Sequence, residues 1–388
     1  MNIIKNKNIT LEYYNFDKNT TVNVNLELLR CDFYNIIVKL FIEITIKYFD
    51  SSIFSKKKPF KRALSNIFSN FIFSQYSKNN NIEDIFIPSI SEITFLKNVL
   101  LDYLKINKID NFNLSSFSKE FLNLYQKQYQ TFILKKNKLK FKMIEIKSKI
   151  IYIKDSKFIK LFPNKIFNKN YEVVLFYDKY IDLKNKFLKK NKGLYFNNII
   201  YSILLRYFTL GSNNNQLAVS PYKMDTFCKD YGLSFESFAS AINHQTDHFC
   251  SVYPDLEKYF GSIGNFFNTK MIKGCYNFNP PFQEDIINDG INKILSNLEE
   301  SNEQLTFIIT IPVWDIAGKK KFGIEDEYND LPIINQIKKS KFLFKIDAID
   351  KKEFDYHDHF FNLTKNVTIQ NTYLIILRNF TKSGLLTC

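Results

Sequence analysis

Apolar periodicity in the first half of the chain predicts mainly helices. Residues 26–49, 67–77 and 91–106 carry apolar side chains at three- and four-residue spacing, which is typical of helices with one buried face. Residues 138–142, Lys-Leu-Lys-Phe-Lys, alternate strictly and therefore predict a strand with one cationic face. Residues 171–177 predict a second strand, so the first half is expected to be helical with two short strands.

The second half alternates predicted strands with a helical segment. Strands are predicted at residues 233–240 (a strand that runs into a loop of small residues), 275–278, 305–313, 342–346 and 372–377. Ile287, Ile291, Ile294 and Leu298 mark one face of a helix between the second and third of these strands. This order predicts an α/β fold, in which ligands bind beyond the carboxyl ends of the strands.

Glycine and charge divide the chain at nearly the same residue. The chain has 388 residues, enough for two domains, and all ten glycines lie from Gly193 onward. Residues 1–192 hold 35 lysines and arginines against 17 acidic residues, whereas residues 193–388 hold 19 against 22. We therefore predict a basic, mainly helical lobe at residues 1–192 and a near-neutral second domain at residues 193–388.

The positive charge of the first lobe indicates a polyanionic partner such as nucleic acid, although ordinary solvated lysines account for part of it. No signal peptide is visible, because residues 1–10 carry scattered Lys and Asn. The most apolar early stretch is interrupted by Lys39, Glu43 and Lys47 on one helical stripe, so no membrane association is expected.

Cysteine and histidine usage does not predict a metal site. The five cysteines form no CxxC pair, and reduced thiols in an intracellular protein are expected. His244 and His248 are four residues apart, but no second cluster with ligand spacing accompanies them. We therefore predict hydrogen-bonded or solvated histidines and no metal.

The motif that carries the most chemical information is Asn279-Pro280-Pro281-Phe282, directly after a predicted strand. An amine conjugated to a ring is a poor nucleophile until its lone pair turns out of the π-system. The Asn279 side-chain oxygen and the Pro280 carbonyl can accept its N–H groups, and Phe282 can stack on a flipped base. The plain alternative is a Pro-Pro turn that ends a strand, since short motifs recur by chance.

Five segments together resemble one known family. They are residues 236–243 (ESFASAIN), 253–255 (YPD), 259–262 (YFGS), 279–282 (NPPF) and 307–314 (FIITIPVW). In this order and at this spacing they resemble the catalytic core of the phosphorylated-CTD-interacting factors (the PCIF1 family), which are cap-specific adenosine N6-methyltransferases. The resemblance covers mainly residues 230–315.

The resemblance implies a function for each domain. It implies a class I S-adenosylmethionine-dependent methyltransferase domain with a Rossmann-like sheet at residues 193–388 and an RNA-binding helical lobe at residues 1–192. It implies transfer of a methyl group from S-adenosyl-L-methionine to N6 of the 2′-O-methyladenosine next to the mRNA cap, with capped mRNA as the partner. A nuclear location is expected from the family, with the cytoplasm as the alternative.

The resemblance also assigns site residues. Asn279, Pro280, Pro281 and Phe282 form the expected catalytic turn. The expected cofactor-binding residues are Phe238, Ala239, Ser240, Asn243 and Asn279. Trp314 and the lysines Lys319, Lys320 and Lys321 are expected to contact RNA.

The chain departs from the family pattern at two places. Ala241 stands where the family has proline, so the loop after the first strand is expected to be less rigid. The chain has a single tryptophan, Trp314, whereas a WW domain has two. Docking on the polymerase tail through a WW domain is therefore not expected. Asp255 and Glu257 are the candidates for the acid that binds the cofactor ribose.

Three other functions use the same residues. An N6-adenine DNA methyltransferase would use the same turn, and a protein glutamine methyltransferase also carries Asn-Pro-Pro-aromatic. The basic lobe argues against a neutral peptide substrate. A non-catalytic RNA-binding scaffold is the third alternative, and the intact turn argues against it.

Overall fold

The computed structural model describes residues 2–13, 22–48, 57–78, 84, 86–106, 112–140, 143–166, 168–191, 195–211, 216–313, 332–359, 366–367, 371–381 and 384–385. The helices are α1 (Val24–Lys47), α2 (Lys57–Lys78), α3 (Ile90–Ile93), α4 (Leu96–Ile106), α5 (Leu114–Lys138), α6 (Tyr177–Lys190), α7 (Phe196–Leu210), α8 (Pro221–Tyr231), α9 (Pro254–Glu257), α10 (Glu284–Glu300) and α11 (Pro332–Lys338). The strands are β1 (Asn2–Lys5), β2 (Thr10–Tyr13), β3 (Ile146–Ile153), β4 (Ser156–Pro163), β5 (Val173–Phe176), β6 (Leu217–Val219), β7 (Leu233–Glu236), β8 (Lys270–Phe278), β9 (Leu305–Pro312), β10 (Leu343–Ile349), β11 (Tyr356–Asp358), β12 (Asn366–Val367), β13 (Thr372–Arg378), β14 (Phe380–Thr381) and β15 (Gly384–Leu385).

The chain forms two compact units, each of which uses more than one segment. The α/β unit comprises Met1–Thr20, Asp178–Lys190 and Asn214–Cys388. The helical unit comprises Thr21–Tyr177 and Asn191–Asn213. Composition changes at residue 192, whereas contacts between residues divide the chain at other positions. The roles assigned to residues 1–192 and 193–388 remain predictions.

The α/β unit is built on a seven-stranded mixed sheet with the order β1-β2-β8-β9-β13-β10 and β7 beside β8. β7, β8 and β9 run parallel, whereas β13 pairs antiparallel with both β9 and β10. β2 pairs antiparallel with the first half of β8, and β7 follows on the same edge. The α/β prediction is therefore confirmed at the level of a mixed α/β sheet.

The apolar strand β9 lies in the interior of this sheet, between β8 and β13. All eight of its residues are buried, as expected for a strand covered on both faces. The helix α10 connects β8 to β9 and buries the face marked by Ile287, Ile291, Ile294 and Leu298. The predicted helical face is thus the one that packs on the sheet.

A glycine permits close packing between α10 and the end of β8. A Cβ atom added to Gly290 would lie 2.3 Å from Cζ of Phe278. Phe278 directly precedes Asn279, so the glycine sets how closely the start of the candidate turn approaches the helix.

A second, three-stranded sheet of the α/β unit has the order β12-β11-β6. Tyr356 and His357 of β11 lie opposite Val219 and Ala218 of β6 in antiparallel register. Tyr356 is buried with Val219, Met224 and Phe227 of β6 and α8. This small sheet carries residues that reach the candidate site.

The helical unit combines α1–α5 and α7 with an antiparallel sheet of order β3-β4-β5. Its core contains a paired ionic cluster rather than apolar side chains alone. Glu27 accepts hydrogen bonds from Arg30 and Arg206, and Asp84 accepts from Arg30 and Lys136. The neighbouring guanidinium of Arg30 keeps the pKa of Asp84 below its usual value despite the opposing effect of burial.

Two sequence predictions in this unit are wrong in detail. The predicted strand at residues 138–142 is not formed, because Lys138 ends α5 and residues 139–140 are not in a strand, while residues 141–142 lie outside the described part. The predicted helix at residues 91–106 is interrupted by a turn at residues 94–95, where α3 ends and α4 follows. A capping box formed by Ser89 and Glu92 starts α3 independently of α4.

The remaining predicted elements of the second half are formed, with bounds that differ by a few residues. Within the described part of the chain, no helix is both long and apolar enough to cross a bilayer.

Candidate active site

The Asn-Pro-Pro-Phe segment forms a tight turn where β8 ends and before α10 begins. Asn279 is half-buried and Pro280 is buried. The Gln283 N–H donates to the Pro281 carbonyl at 2.7 Å, which closes the turn after the two prolines. The rigid φ angles of the prolines and this short hydrogen bond fix the direction of the chain between strand and helix.

A hydroxyl from the neighbouring strand orients the Asn279 side chain. Thr310 of β9 is fully buried, and its hydroxyl donates to Asn279 Oδ1 at 3.1 Å. An amide oxygen has two lone pairs, so one acceptor position of Asn279 stays available. Sequence analysis did not single out Thr310, although a threonine inside the apolar run of β9 is a usable signal.

Phe282 lies against the small sheet. Its half-buried ring meets the ring of Tyr356 edge-to-face, with centroids 5.9 Å apart and planes at 80°. The Tyr356 hydroxyl is hydrogen-bonded to the Thr372 hydroxyl at 3.0 Å. Tyr356 therefore supports the ring that sequence analysis assigned to base stacking, and it was not predicted from the sequence.

The loop after β7 lies beside the turn because β7 and β8 are parallel neighbours. Glu236, the last residue of β7, is opposite Asn277. The Phe238 ring packs against Phe266 and against Phe278, with centroids 5.1 and 5.4 Å apart. The structure thus places Phe238, one of the residues predicted for cofactor binding, against Phe278, which directly precedes the predicted catalytic turn.

Ser240 and Asn243 brace this loop by reciprocal hydrogen bonds. The Asn243 Oδ1 accepts from the Ser240 backbone N–H at 2.6 Å, and the Ser240 hydroxyl accepts from the backbone N–H groups of Ile242 and Asn243. The Ser240 hydroxyl donates to Gln216 Oε1 at 2.6 Å. Ala239 is held separately, since its N–H donates to the Cys250 carbonyl.

Two buried carboxylates hold the polypeptide around the loop. Glu257 accepts from the N–H groups of Ala241 and Tyr253, at 2.8 and 3.3 Å. Glu236 accepts from the N–H groups of Gln245 and Thr246, at 2.6 and 2.9 Å. Burial raises the pKa of Glu236, and these hydrogen bonds oppose that effect. The candidate ribose ligand Glu257 is fully buried and braces the loop, whereas Asp255 is half-buried.

Histidines and a lysine form the electrostatic surroundings of the loop. His244 stacks on Phe249 with centroids 4.7 Å apart, and its ring Nδ1 lies 3.1 Å from the Ser240 carbonyl. Burial, together with the charge of Lys179, lowers the pKa of His244 to about 4. Burial likewise lowers the pKa of His359 well below its usual value, so both imidazoles are neutral near pH 7.

Several buried polar atoms near the loop have no hydrogen-bond partner within the described residues. They include Gln216 Nε2, Ser237 Oγ and His359 Nε2. The backbone N–H of His359 donates to the backbone carbonyl of Gln216 at 3.4 Å. Two of these unpaired side-chain atoms therefore belong to residues that are neighbours in space. Buried unpaired donors of this kind call for a polar ligand or water.

The predicted RNA-contacting residues Trp314, Lys319, Lys320 and Lys321 lie outside the described residues. β9 ends at Pro312, and Val313 is the last described residue before them.

Comparisons with known proteins agree with the resemblance seen in the motifs. The chain is 38% identical over 90 residues to the mouse mRNA (2′-O-methyladenosine-N(6)-)-methyltransferase, which is 23% of this chain and 13% of the relative. It is 39% identical over 84 residues to the human protein of the same name, 22% of this chain and 12% of the relative. The chain thus matches about an eighth of the length of these relatives, both of which are methyltransferases.

A family model described as "Phosphorylated CTD interacting factor 1 WW domain" matches residues 175–359. The matched range contains β7, β8, the Asn-Pro-Pro-Phe turn and β9. The resemblance to the PCIF1 family is therefore confirmed.

The same match corrects one prediction. The expectation that docking through a WW domain does not occur is wrong, because the matching family model is that of the family's WW domain. The expectation depended on the number of tryptophans in the sequence. A family model that extends over strands, helices and loops compares the chain at many positions. The presence of a single tryptophan therefore did not prevent the match.

Proposed function

We propose that this chain is an S-adenosylmethionine-dependent methyltransferase that modifies N6 of the adenosine next to the mRNA cap. The observation that carries the proposal is the orientation of Asn279 at the carboxyl end of β8 by the buried Thr310 hydroxyl. The names of the mouse and human relatives support the same activity.

The finer fold assignment is a class I methyltransferase sheet. Three parallel strands, β7, β8 and β9, end at the edge that carries both the Asn279 turn and the loop at residues 237–243. Ligands of open α/β sheets bind at this edge, beyond the carboxyl ends of the strands. The antiparallel β13 lies between β9 and β10, and its first residue, Thr372, is opposite Pro312 at that same edge.

The residues around the loop after β7 fit a polar cofactor. Gln216 Nε2 and Ser237 Oγ are buried without hydrogen-bond partners among the described residues, and the loop that begins at Ser237 is braced by Ser240 and Asn243. We propose that Phe238, Ala239, Ser240 and Asn243 hold S-adenosyl-L-methionine by this loop. When bound, the cofactor supplies an electrophilic methyl group on a sulfonium ion.

The turn orients the nucleophile. The free lone pair of Asn279 Oδ1 and the Pro280 carbonyl accept the two N–H groups of the adenine N6 amine, which turns the nitrogen lone pair out of the ring system. Phe282 stacks on the adenine while Tyr356 supports the ring from its edge. The nitrogen forms the new bond to the methyl carbon, the carbon–sulfur bond breaks, and the surplus proton leaves N6 for water.

No strong base is required in this scheme, because the methylated amine cation is a strong acid. Positioning and the fixed dipoles of the turn therefore supply the catalysis. Capped mRNA is the proposed partner, in agreement with the excess of 18 positive charges in residues 1–192. Trp314 and Lys319, Lys320 and Lys321 remain proposed RNA contacts.

Replacing Asn279 tests the mechanism. We expect Asn279→Ala to abolish methyl transfer to capped RNA and to leave the Kd for S-adenosylmethionine within about twofold of the wild type, measured by calorimetry. Asn292→Ala, an exposed change on α10, is the control and should keep full activity. A wild-type rate for Asn279→Ala would show that the turn does not orient the amine.

The substrate is tested by mass spectrometry of released nucleosides. Capped RNA, uncapped RNA and duplex DNA are incubated with the cofactor, and N6-methylated adenosines are quantified after digestion. Methylation confined to the cap-adjacent nucleotide of capped RNA supports the proposal. Methylation of duplex DNA would instead favour an N6-adenine DNA methyltransferase, and no methylation of any of the three would favour a scaffold.

A further inference from the structure

The outer edge of β3 in the helical unit is an unpaired strand edge. β3 has eight residues and pairs with β4, which pairs in turn with β5. Among the described strands β3 has no second neighbour, so the backbone groups on one of its sides are not paired with another described strand.

Hydrogen bonds to β4 alternate along β3, and this alternation shows which residues of β3 direct their backbone groups to the outer edge. The Asn164 N–H donates to the Glu145 carbonyl, and the register continues as Lys147 opposite Phe162 and Lys149 opposite Lys160. Odd-numbered residues of β3 therefore bond to β4, and even-numbered residues direct their N–H and C=O groups outward.

Only the beginning of the outer edge is occupied. Asn198 Nδ2 donates to the Ile144 carbonyl at 2.9 Å, and Asn197 Nδ2 donates to the Ile146 carbonyl at 3.5 Å. For Ser148, Ile150 and Tyr152, the described residues supply no partner on this side. Three N–H and three C=O groups are thus available along a straight edge.

Exposed side chains accompany these backbone groups. Ile150, Tyr152 and Ile153 are 44%, 70% and 44% exposed. With Met143, four of the thirteen exposed large apolar side chains in the described residues lie between residues 143 and 153. Such a concentration marks an interaction surface rather than scattered surface residues.

The two faces of β3 differ in character. Ile150 and Tyr152 project from one face, whereas Lys147 and Lys149 project from the other, and both lysines are exposed. A strand added at this edge would place its side chains directly beside these residues, in cross-strand pairs. The matching sequence alternates acidic and apolar residues.

We propose that the outer edge of β3 binds an extended peptide of a partner protein, in which acidic and apolar residues alternate, by strand addition. A second copy of this chain that pairs with β3 in antiparallel register around Ser148 is a poor occupant, because this register sets Lys147 against Lys149. A nucleic acid is also a poor occupant. Phosphate groups accept hydrogen bonds and cannot pair with the outward carbonyls.

Hydrogen exchange tests the edge without any ligand. In the free full-length chain, the amides of residues 148, 150 and 152 should exchange rapidly, while those of residues 147, 149 and 151 should be protected by β4. Protection of the even-numbered amides in the free chain would overturn the proposal, since the edge would already be covered.

Peptide binding tests the occupant. The probe is a labelled ten-residue Glu-Val repeat, compared with a Lys-Val repeat and with oligouridine, and binding is followed by fluorescence anisotropy. The full chain should prefer the Glu-Val peptide, which should also slow exchange at residues 148, 150 and 152. No binding of this peptide, or binding of oligouridine alone at this edge, would overturn the proposal.

Changes at Ile150 and at the two lysines of β3 separate strand addition from general charge attraction. Ile150→Pro removes an outward N–H without affecting a bond to β4, and it should weaken peptide binding about tenfold or more. Ile150→Thr keeps the N–H and should bind normally. The double change Lys147→Glu and Lys149→Glu should reverse the preference toward the Lys-Val peptide. The matched charge control is Lys5→Glu at the end of β1 together with Lys7→Glu in the connection to β2. Unchanged binding by a folded Ile150→Pro variant would refute strand addition.

Discussion

At the scale of single residues, the hydroxyl of Thr310 is the contact on which the geometry of the site depends most directly. An Asn side chain can rotate about two bonds, and its oxygen and nitrogen have opposite hydrogen-bonding roles. Because Thr310 donates to Oδ1, the side-chain amide of Asn279 is held in one orientation. The hydroxyl therefore fixes the direction in which the Asn279 amide group points.

Removing this hydroxyl should slow the reaction without preventing folding. We expect Thr310→Val to lower kcat about three- to tenfold, the effect of losing one hydrogen bond, with the Kd for S-adenosylmethionine unchanged. Thr310→Ser retains the donor and should restore most of the rate. Equal rates for the Val and Ser variants in a steady-state methylation assay would show that the contact is not used.

The second prediction at this scale concerns the buried imidazole of His244. Its pKa is about 4 in the folded protein and near 6.5 when unfolded, so the unfolded state binds more protons between these values. The free energy of unfolding should therefore fall as the pH is lowered from 6.5 to 4, by on the order of 2–3 kcal/mol for this group.

His244→Phe is the informative variant, since a phenyl ring can keep the stacking on Phe249. Urea unfolding across this pH range should show a smaller slope for the variant, with a remaining slope from His359. An unchanged slope would mean that His244 does not stay neutral in the folded chain.

Sequence analysis identified the residues with distinctive chemistry at this scale and missed those that support them. The Asn-Pro-Pro-Phe turn was visible because its residues are adjacent. Gln216 was not, because its partner Ser240 is 24 residues away and nothing local relates the two. Tyr356 is likewise brought to Phe282 only by the pairing of β11 with β6.

At the scale of elements, the packing of α10 against β8 depends on the absence of a side chain at Gly290. Glycine is unfavourable in a helix by about 1 kcal/mol relative to alanine, so its presence requires another reason. The Phe278 ring occupies the space where a Cβ atom would lie. Helix, ring and turn are thereby packed as one layer.

Gly290→Ala should destabilise the chain despite its better helix propensity. We expect the free energy of unfolding to decrease by about 1–3 kcal/mol through overpacking, and methylation to decrease because Asn279 follows the displaced ring. Urea denaturation measures the first effect. Asn292→Ala, exposed on the same helix, should not destabilise, and similar stability of both variants would contradict the role of Phe278.

Element prediction succeeded where periodicity was long and apolar. β9, α10 and β13 were found because burial on one or both faces imposes a regular pattern. It failed at residues 138–142, where the first of the alternating lysines, Lys138, is the last residue of α5. Basic residues are favourable in the last turn of a helix, and such a pattern is indistinguishable from one face of a strand over five residues.

At the scale of the whole molecule, charge is distributed unevenly along the sequence. The chain carries a net charge of +15, and the excess is confined to residues 1–192. Neutralising phosphate groups releases their counterions, which makes binding of nucleic acid depend on salt. S-adenosylmethionine, for which we propose a site at the uncharged loop of residues 237–243, should not have this dependence.

Binding of capped RNA should therefore weaken by at least about tenfold between roughly 50 and 200 mM salt, whereas the Kd for S-adenosylmethionine should change little. Fluorescence titrations of both ligands with the same preparation measure the difference. A salt-independent RNA affinity would argue against the basic lobe as the RNA-binding region.

The pairing of β2 with β8 has a consequence for biosynthesis. Thr10 and Lys273 are neighbours in the sheet, and Tyr276 donates a hydrogen bond to the Thr10 carbonyl. During translation β2 cannot pair with β8 until β8, more than 250 residues later in the chain, has emerged from the ribosome. All of the helical unit is translated during that interval, so it can fold first. The seven-stranded sheet can be completed around β8 only late in translation.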